Sequence, residues 1–253
     1  MRLPTSLAIV LFVVAPALAQ ESRDVTLWLW HGSHDLRGFA PANGEHVSVA
    51  YLSRTLIIEV DGVHVTPRRD PIFLDSDMVR TAVVHMEIGR GVDASILRRE
   101  RAAILRALTP VFSEEAHGIQ FDFDAPRSMR REYETLLQEI AEAKPERWTF
   151  SMTALGSWCT ESDWLAATPV DFVVPMLFGP GHDRHETLAA LERGPLRQPR
   201  CRDALGLREH QRPPAHYAAT FFVFGQGSWN NARARAALES VAYSSSSRVT
   251  PPR

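Results

Sequence analysis

Short apolar runs of strand length alternate along this chain with runs whose apolar residues recur at helical spacing. Residues 25–31, 81–88, 118–125, 148–155, 172–178 and 216–224 read as strands. A weaker run at 204–207 and a stretch near 49–52, inside the β-rich segment 47–60, would supply two more. Between them, 95–108 carries Leu97, Ile104, Leu105 and Leu108 on one helical face, and 128–144 carries Met129, Tyr133, Leu136, Leu137 and Ile140. Pro145 closes the second of these helices. A short helix is expected over 160–167, with Thr160 as its cap and Asp163 in its first turn. Residues 188–191 suit a helix, and 231–241 predicts the last one. Strand, helix, strand, repeated, means parallel β with right-handed crossovers. About eight such strands favour an α/β fold of the closed (β/α)8, TIM-like type, with irregular second and seventh units. An open doubly wound sheet is the alternative. The chain has no Gly-rich phosphate loop, which disfavours nucleotide binding.

One strand motif concentrates the polar chemistry: His117-Gly-Ile-Gln-Phe-Asp-Phe-Asp-Ala-Pro126. Side chains alternate across a strand, so Gln120, Asp122 and Asp124 share one face and Ile119, Phe121 and Phe123 the other. Acids at the C-terminal end of a strand that leads into a helix suit the active-site rim of a barrel. The alternative is a solvated polar face with Asp124 as a helix N-cap. On the preceding strand, His85 and Glu87 also share a face. A sequential barrel would set them beside Asp122 and Asp124. Crowded carboxylates oppose each other's ionisation, and a carboxyl so raised can donate a proton near neutral pH. The expected catalytic set is Asp124, Asp122 and Glu87. Gln120, His85 and Phe178 are expected to contact substrate, together with the flat rings of Trp28, Trp30 and Trp158. Trp158, just past a strand end, is the expected ligand platform.

Other classes are disfavoured. His31, His34 and Asp35 cluster after the first strand, and His182, Asp183 and His185 after the sixth, but neither matches a compact metal motif. No metal and no cofactor is expected. No Gly-x-Ser-x-Gly elbow is present. The formal net charge is -2, and the arginine pairs form no basic stripe interleaved with aromatics, so no nucleic-acid partner is implied. Arg2, the apolar run 7–14 and Ala17-Leu18-Ala19 predict a signal peptide over 1–19. A single domain over 20–243 and a disordered Ser- and Pro-rich tail over 244–253 would follow. The expected product is a monomeric, periplasmic or secreted protein with no stable membrane insertion after cleavage. In that compartment Cys159 and Cys201 could pair.

Three further stretches carry a resemblance. Ser151-Met-Thr-Ala-Leu-Gly-Ser-Trp-Cys159, Pro169-Val-Asp-Phe-Val-Val-Pro-Met-Leu-Phe178 and Cys201-Arg-Asp-Ala-Leu-Gly206 look like domain of unknown function 3142, an uncharacterised bacterial family. With the fourth-strand motif the likeness spans most of the mature chain, and it implies no particular activity. The fourth strand also resembles the Asp-x-x-Asp-x-Asp-x-Glu of family-18, chitinase-like glycoside hydrolases. His117, Gln120, Asp122 and Asp124 fall on its four acidic positions. Met176, Phe178 and Gly179 fall on that family's sixth-strand Met-x-Tyr-Asp. This resemblance implies a barrel with its site at these strand ends, a carbohydrate ligand, and Asp124 at the position of the acid. Those enzymes use the substrate's N-acetyl group as nucleophile, positioned by a carboxylate and the tyrosine. Phe178 has no hydroxyl for that task. The chain is therefore expected to be a glycoside hydrolase-like barrel or a non-catalytic carbohydrate- or peptidoglycan-binding relative.

Overall fold

The computed structural model describes residues 24–42, 45–161, 164–178, 181–214 and 220–242. The expected signal peptide and tail lie outside them, as does Asp163. The described residues form eleven strands: β1 (Asp24–Leu29), β2 (His34–Asp35), β3 (His46–Glu59), β4 (Gly62–Pro67), β5 (Ile72–Phe73), β6 (Arg80–Ile88), β7 (Gly118–Asp122), β8 (Thr149–Leu155), β9 (Phe172–Met176), β10 (Ala204–Arg208) and β11 (Thr220–Phe224). Eight of them, β1, β3 and β6 to β11, run parallel in sequence order. The ring closes because β1 pairs with β3 on one side and with β11 on the other. The fold is a closed (β/α)8 barrel. The helices are α1 (Ala94–Leu108), α2 (Arg130–Ala143), α3 (Gly156–Glu161), α4 (Gly181–Arg193) and α5 (Asn231–Ala242).

Alternation sorts the strand residues into two layers. Ile119, Phe121 and Phe123 join Tyr133, Leu136, Leu137 and Ile140 of α2 in the core between barrel and helices. Each large apolar side chain so buried contributes roughly 1.5–3 kcal/mol. The opposite face of each strand fills the barrel. There a smaller apolar cluster of Trp28, Ala50, Val83, Val174, Ala204 and Phe222 forms its own packing unit. Helix entry is equally local. Asp93 caps α1 by accepting from the Ser95 and Ile96 N–H groups. At the far end of α2, Lys144 is already extended, as a residue before proline should be.

The first strand stops at Leu29 and the sixth at Met176, each two residues short of expectation, and three larger departures occur. The second unit has no crossover helix. β3 runs for 14 residues and folds back antiparallel as β4, while the little β2–β5 pair covers the return. β7 ends at Asp122, because Phe123 and Asp124 belong to a turn in which the Ala125 N–H reaches the Phe123 carbonyl. Pro126, and not Asp124, is the N-cap of the 3-10 turn Arg127–Met129 that leads into α2. The helix expected over 160–167 divides into α3 and a 3-10 turn, Trp164–Ala167. Thr160 is therefore no cap; it sits inside α3, and its hydroxyl donates to the Ser157 carbonyl. Cys159 of α3 is disulfide-bonded to Cys201. No described helix is long and apolar enough to cross a membrane.

Candidate active site

Parallel pairing of β6 with β7 sets His85 directly opposite Asp122. Both side chains lie on the inner face, so the imidazole meets the carboxylate: His85 Nδ1 stands 2.7 Å from Asp122 Oδ2. The other ring nitrogen, Nε2, stands 3.0 Å from Glu87 Oε1, two residues further along the same face. The second oxygen of Asp122 accepts from the Thr153 hydroxyl on β8 at 2.6 Å. Thr153 is fully buried and Asp122 is 8% exposed, whereas the Glu87 side chain is 57% exposed. The row therefore runs from the barrel interior outward: Thr153, Asp122, His85, Glu87.

Both contacts are hydrogen bonds to ionised carboxylates only if both ring nitrogens carry hydrogen. Electrostatics agrees. Burial pulls the His85 pKa down, but the hydrogen bonds and negative charges of Asp122 and Glu87 outweigh it, and the net shift is upward. In its protonated form the ring donates to both acids and fixes their orientation.

Above this row opens a cavity of about 630 Å3. Glu87, Asp122, Asp124 and His85 line one part of it. Trp28, Trp30, Phe178 and Phe224 line another, with Met176 and Leu155 between. The aromatic rings form a continuous arc. Trp30 meets His85 edge to face at 5.0 Å and Trp28 at 5.6 Å. Trp28 packs on Phe224 at 3.7 Å, and Phe224 on Phe178 at 4.8 Å. The arc is held from behind. Arg68 donates to the carbonyls of Trp30 and Gly32, and Asp70 accepts from the Gly32 N–H at 2.8 Å. His34 Nδ1 accepts from the Trp229 N–H, which leaves Nε2 to donate to the Trp30 carbonyl. Burial lowers the His34 pKa and keeps the neutral ring that this arrangement requires. The Trp229 indole donates to the Trp28 carbonyl.

Two expected contact residues stand elsewhere. Gln120 is fully buried below the cavity and donates to the Ser151 hydroxyl at 3.1 Å, while its side-chain carbonyl has no partner. One pleat deeper than Asp122, it lies beneath the packed barrel interior. Trp158 is 1% exposed. The chain enters α3 at Gly156, and that helix turns the ring into the outer core against Trp164 at 5.0 Å, with the Arg130 guanidinium over it. It cannot act as a ligand platform from there. Gly179 lies outside the described residues, as do the side chains of His182 and Asp183. Sequence reasoning missed Thr153 and Phe224. For Thr153 a signal existed, since Ser151, Thr153 and Leu155 alternate on the inner face of β8. For Phe224 it did not, because its contact with Trp28 exists only once the ring closes. Among the described residues, one group with metal-ligand spacing occurs, the exposed Glu59, Asp61 and His64; none of these lines the cavity.

No family model matches the chain, and no curated protein does. The likeness to domain of unknown function 3142 thus rests on its strand motifs alone. Among solved structures the chain is similar to a fungal endo-beta-N-acetylglucosaminidase from glycosyl hydrolase family 18. The two share 11% identity over 86% of this chain and 97% of the other, with a TM-score of 0.46. The chemistry of the site therefore rests on its own residues.

Proposed function

We propose that the protein is an exported glycoside hydrolase. The observation that carries this reading is one cavity, at the C-terminal rim of a parallel barrel, that combines three carboxylates with an aromatic arc. Barrel enzymes work at that rim. Flat rings suit the CH faces of sugars, and paired carboxyls are the machinery of glycoside hydrolysis. Asp124, at the mouth, donates its proton to the glycosidic oxygen as the bond from C1 to that oxygen breaks. Glu87, steered by the His85 hydrogen bond, takes a proton from the water that attacks C1. Asp122 orients His85 and does not itself exchange a proton with substrate. The disulfide and the N-terminal signal pattern support export.

Asp124→Asn and Glu87→Gln are each expected to lower turnover of an accepted glycan about 10^2–10^4-fold, with KM little changed. Unaltered turnover in Asp124→Asn would refute its role. Proton NMR of the first-formed anomer checks the base assignment. An inverted product fits Glu87 acting through water; a retained one refutes that assignment.

One observation favours a second reading. Phe178 lines the cavity without a hydroxyl, which suits a barrel that binds glycan and does not cleave it. Saturable binding with no release of reducing ends would select that reading.

A further inference from the structure

The chain as a whole is nearly neutral, with 28 basic side chains against 30 acidic ones. The cavity is not. Glu87, Asp122 and Asp124 stand against the single imidazole of His85, and no arginine or lysine is among the described lining residues. Arg208 lies over the Phe178 ring but does not line the space. The described lining side chains remain net negative in either protonation state of His85.

The hydrogen-bonding character is just as one-sided. Three described lining side chains carry an N–H: His85, Trp28 and Trp30. His85 commits both of its nitrogens to Asp122 and Glu87. The Trp28 indole nitrogen is sealed from solvent and has no acceptor. Among the described lining side chains that leaves carboxylate oxygens, foremost those of the half-exposed Glu87, to accept, and the Trp30 indole to donate. An acetamide would bring a carbonyl needing a donor. An ammonium group brings three donors and a positive charge, which carboxylates accept and indole faces attract.

Resting on the proposed carbohydrate reading, we infer that this cavity selects sugars bearing a free amino group, de-N-acetylated hexosamines, over their N-acetylated or 2-hydroxy counterparts. The ammonium sits between the acid row and the Trp28–Trp30 faces. The sugar's CH face lies along the Phe224–Phe178 part of the arc.

The test is a binding titration of the mature chain, followed by its NMR shifts, at about pH 6, where a hexosamine amine is protonated. The probes are methyl glycosides and short β-linked oligomers of glucosamine and galactosamine, alongside their N-acetyl and 2-hydroxy equivalents. The amino series is expected to bind about tenfold or more tightly than either counterpart, with the preference shrinking as salt is added. Equal or tighter binding of the N-acetyl or 2-hydroxy series overturns the inference and leaves the carbohydrate reading standing. No binding in any series overturns both.

Discussion

Replacing Asp122 with asparagine removes one charge and almost no volume, which makes it the sharpest probe of the acid–imidazole row. The asparagine can still offer its carbonyl to the Thr153 hydroxyl, so that bond survives. Its amide then faces His85 Nδ1 as a donor, where wild-type Asp122 accepts. The imidazolium loses its closest anion and keeps only Glu87. The side chains of the pair are 21% and 11% exposed, so solvent screens the interaction only in part. A hydrogen bond between charged partners of this kind contributes about 1.5–3 kcal/mol. In a domain of this size that is a fall in Tm of about 3–12 °C. The sign of its pH dependence follows from His85. The folded state holds the ring's pKa above its ordinary value of 6.5. Stabilisation from the charged ring is therefore complete below that value and is lost as pH rises through the folded pKa. The gap between wild type and Asp122→Asn should be widest on the acid side of neutrality and should narrow in alkali. Denaturant unfolding at both pH extremes measures the gap, and NMR of the His85 ring follows its titration, which should move downward in the variant. An equal gap at both extremes, or an unmoved His85 titration, would show that the ring is not held charged by Asp122.

Three other perturbations probe the scaffold. Thr153→Val deletes a buried donor to Asp122 and should cost about 1 kcal/mol of stability, with a fall in kcat at nearly constant KM on any accepted glycan. Reduction of the Cys159–Cys201 disulfide, which closes a 42-residue separation, should cost about 4 kcal/mol by loop entropy, read from unfolding curves with and without reductant. Gly118→Ala would place a Cβ 2.2 Å from the Thr149 hydroxyl and 2.9 Å from its carbonyl oxygen. The crowding should destabilise the barrel by about 1–3 kcal/mol, and removing the hydroxyl in a Thr149→Ala partner should restore only part of the loss.

The parts of this fold open to sequence reading were those governed by period. The two-residue alternation of Ile119, Phe121 and Phe123 against Gln120 and Asp122 separates outer core from barrel interior. The helical spacing of Tyr133, Leu136, Leu137 and Ile140 does the same for α2. Period also brought His85 and Glu87 to one face. Their junction with Asp122 needed the register between β6 and β7, which the order of strands implies. What period could not convey was depth and continuation. Gln120 shares a face with Asp122, yet lies one pleat lower, where packing closes over it. Trp158 follows a strand end, but its orientation depends on a helix beginning at Gly156, a residue that disfavours helix. The turn of β3 back along β4 escaped for a similar reason. Its β-branched run looks like one long strand, and the hairpin hinges on Gly62, whose φ of 148° other residues rarely adopt.

Arg68 has a consequence that reaches past its own hydrogen bonds. By fastening the two carbonyls that flank His31, it fixes the backbone from which the Trp30 ring projects. A visiting molecule then meets a wall already standing, and the entropy of ordering that wall was lost during folding and not at the encounter.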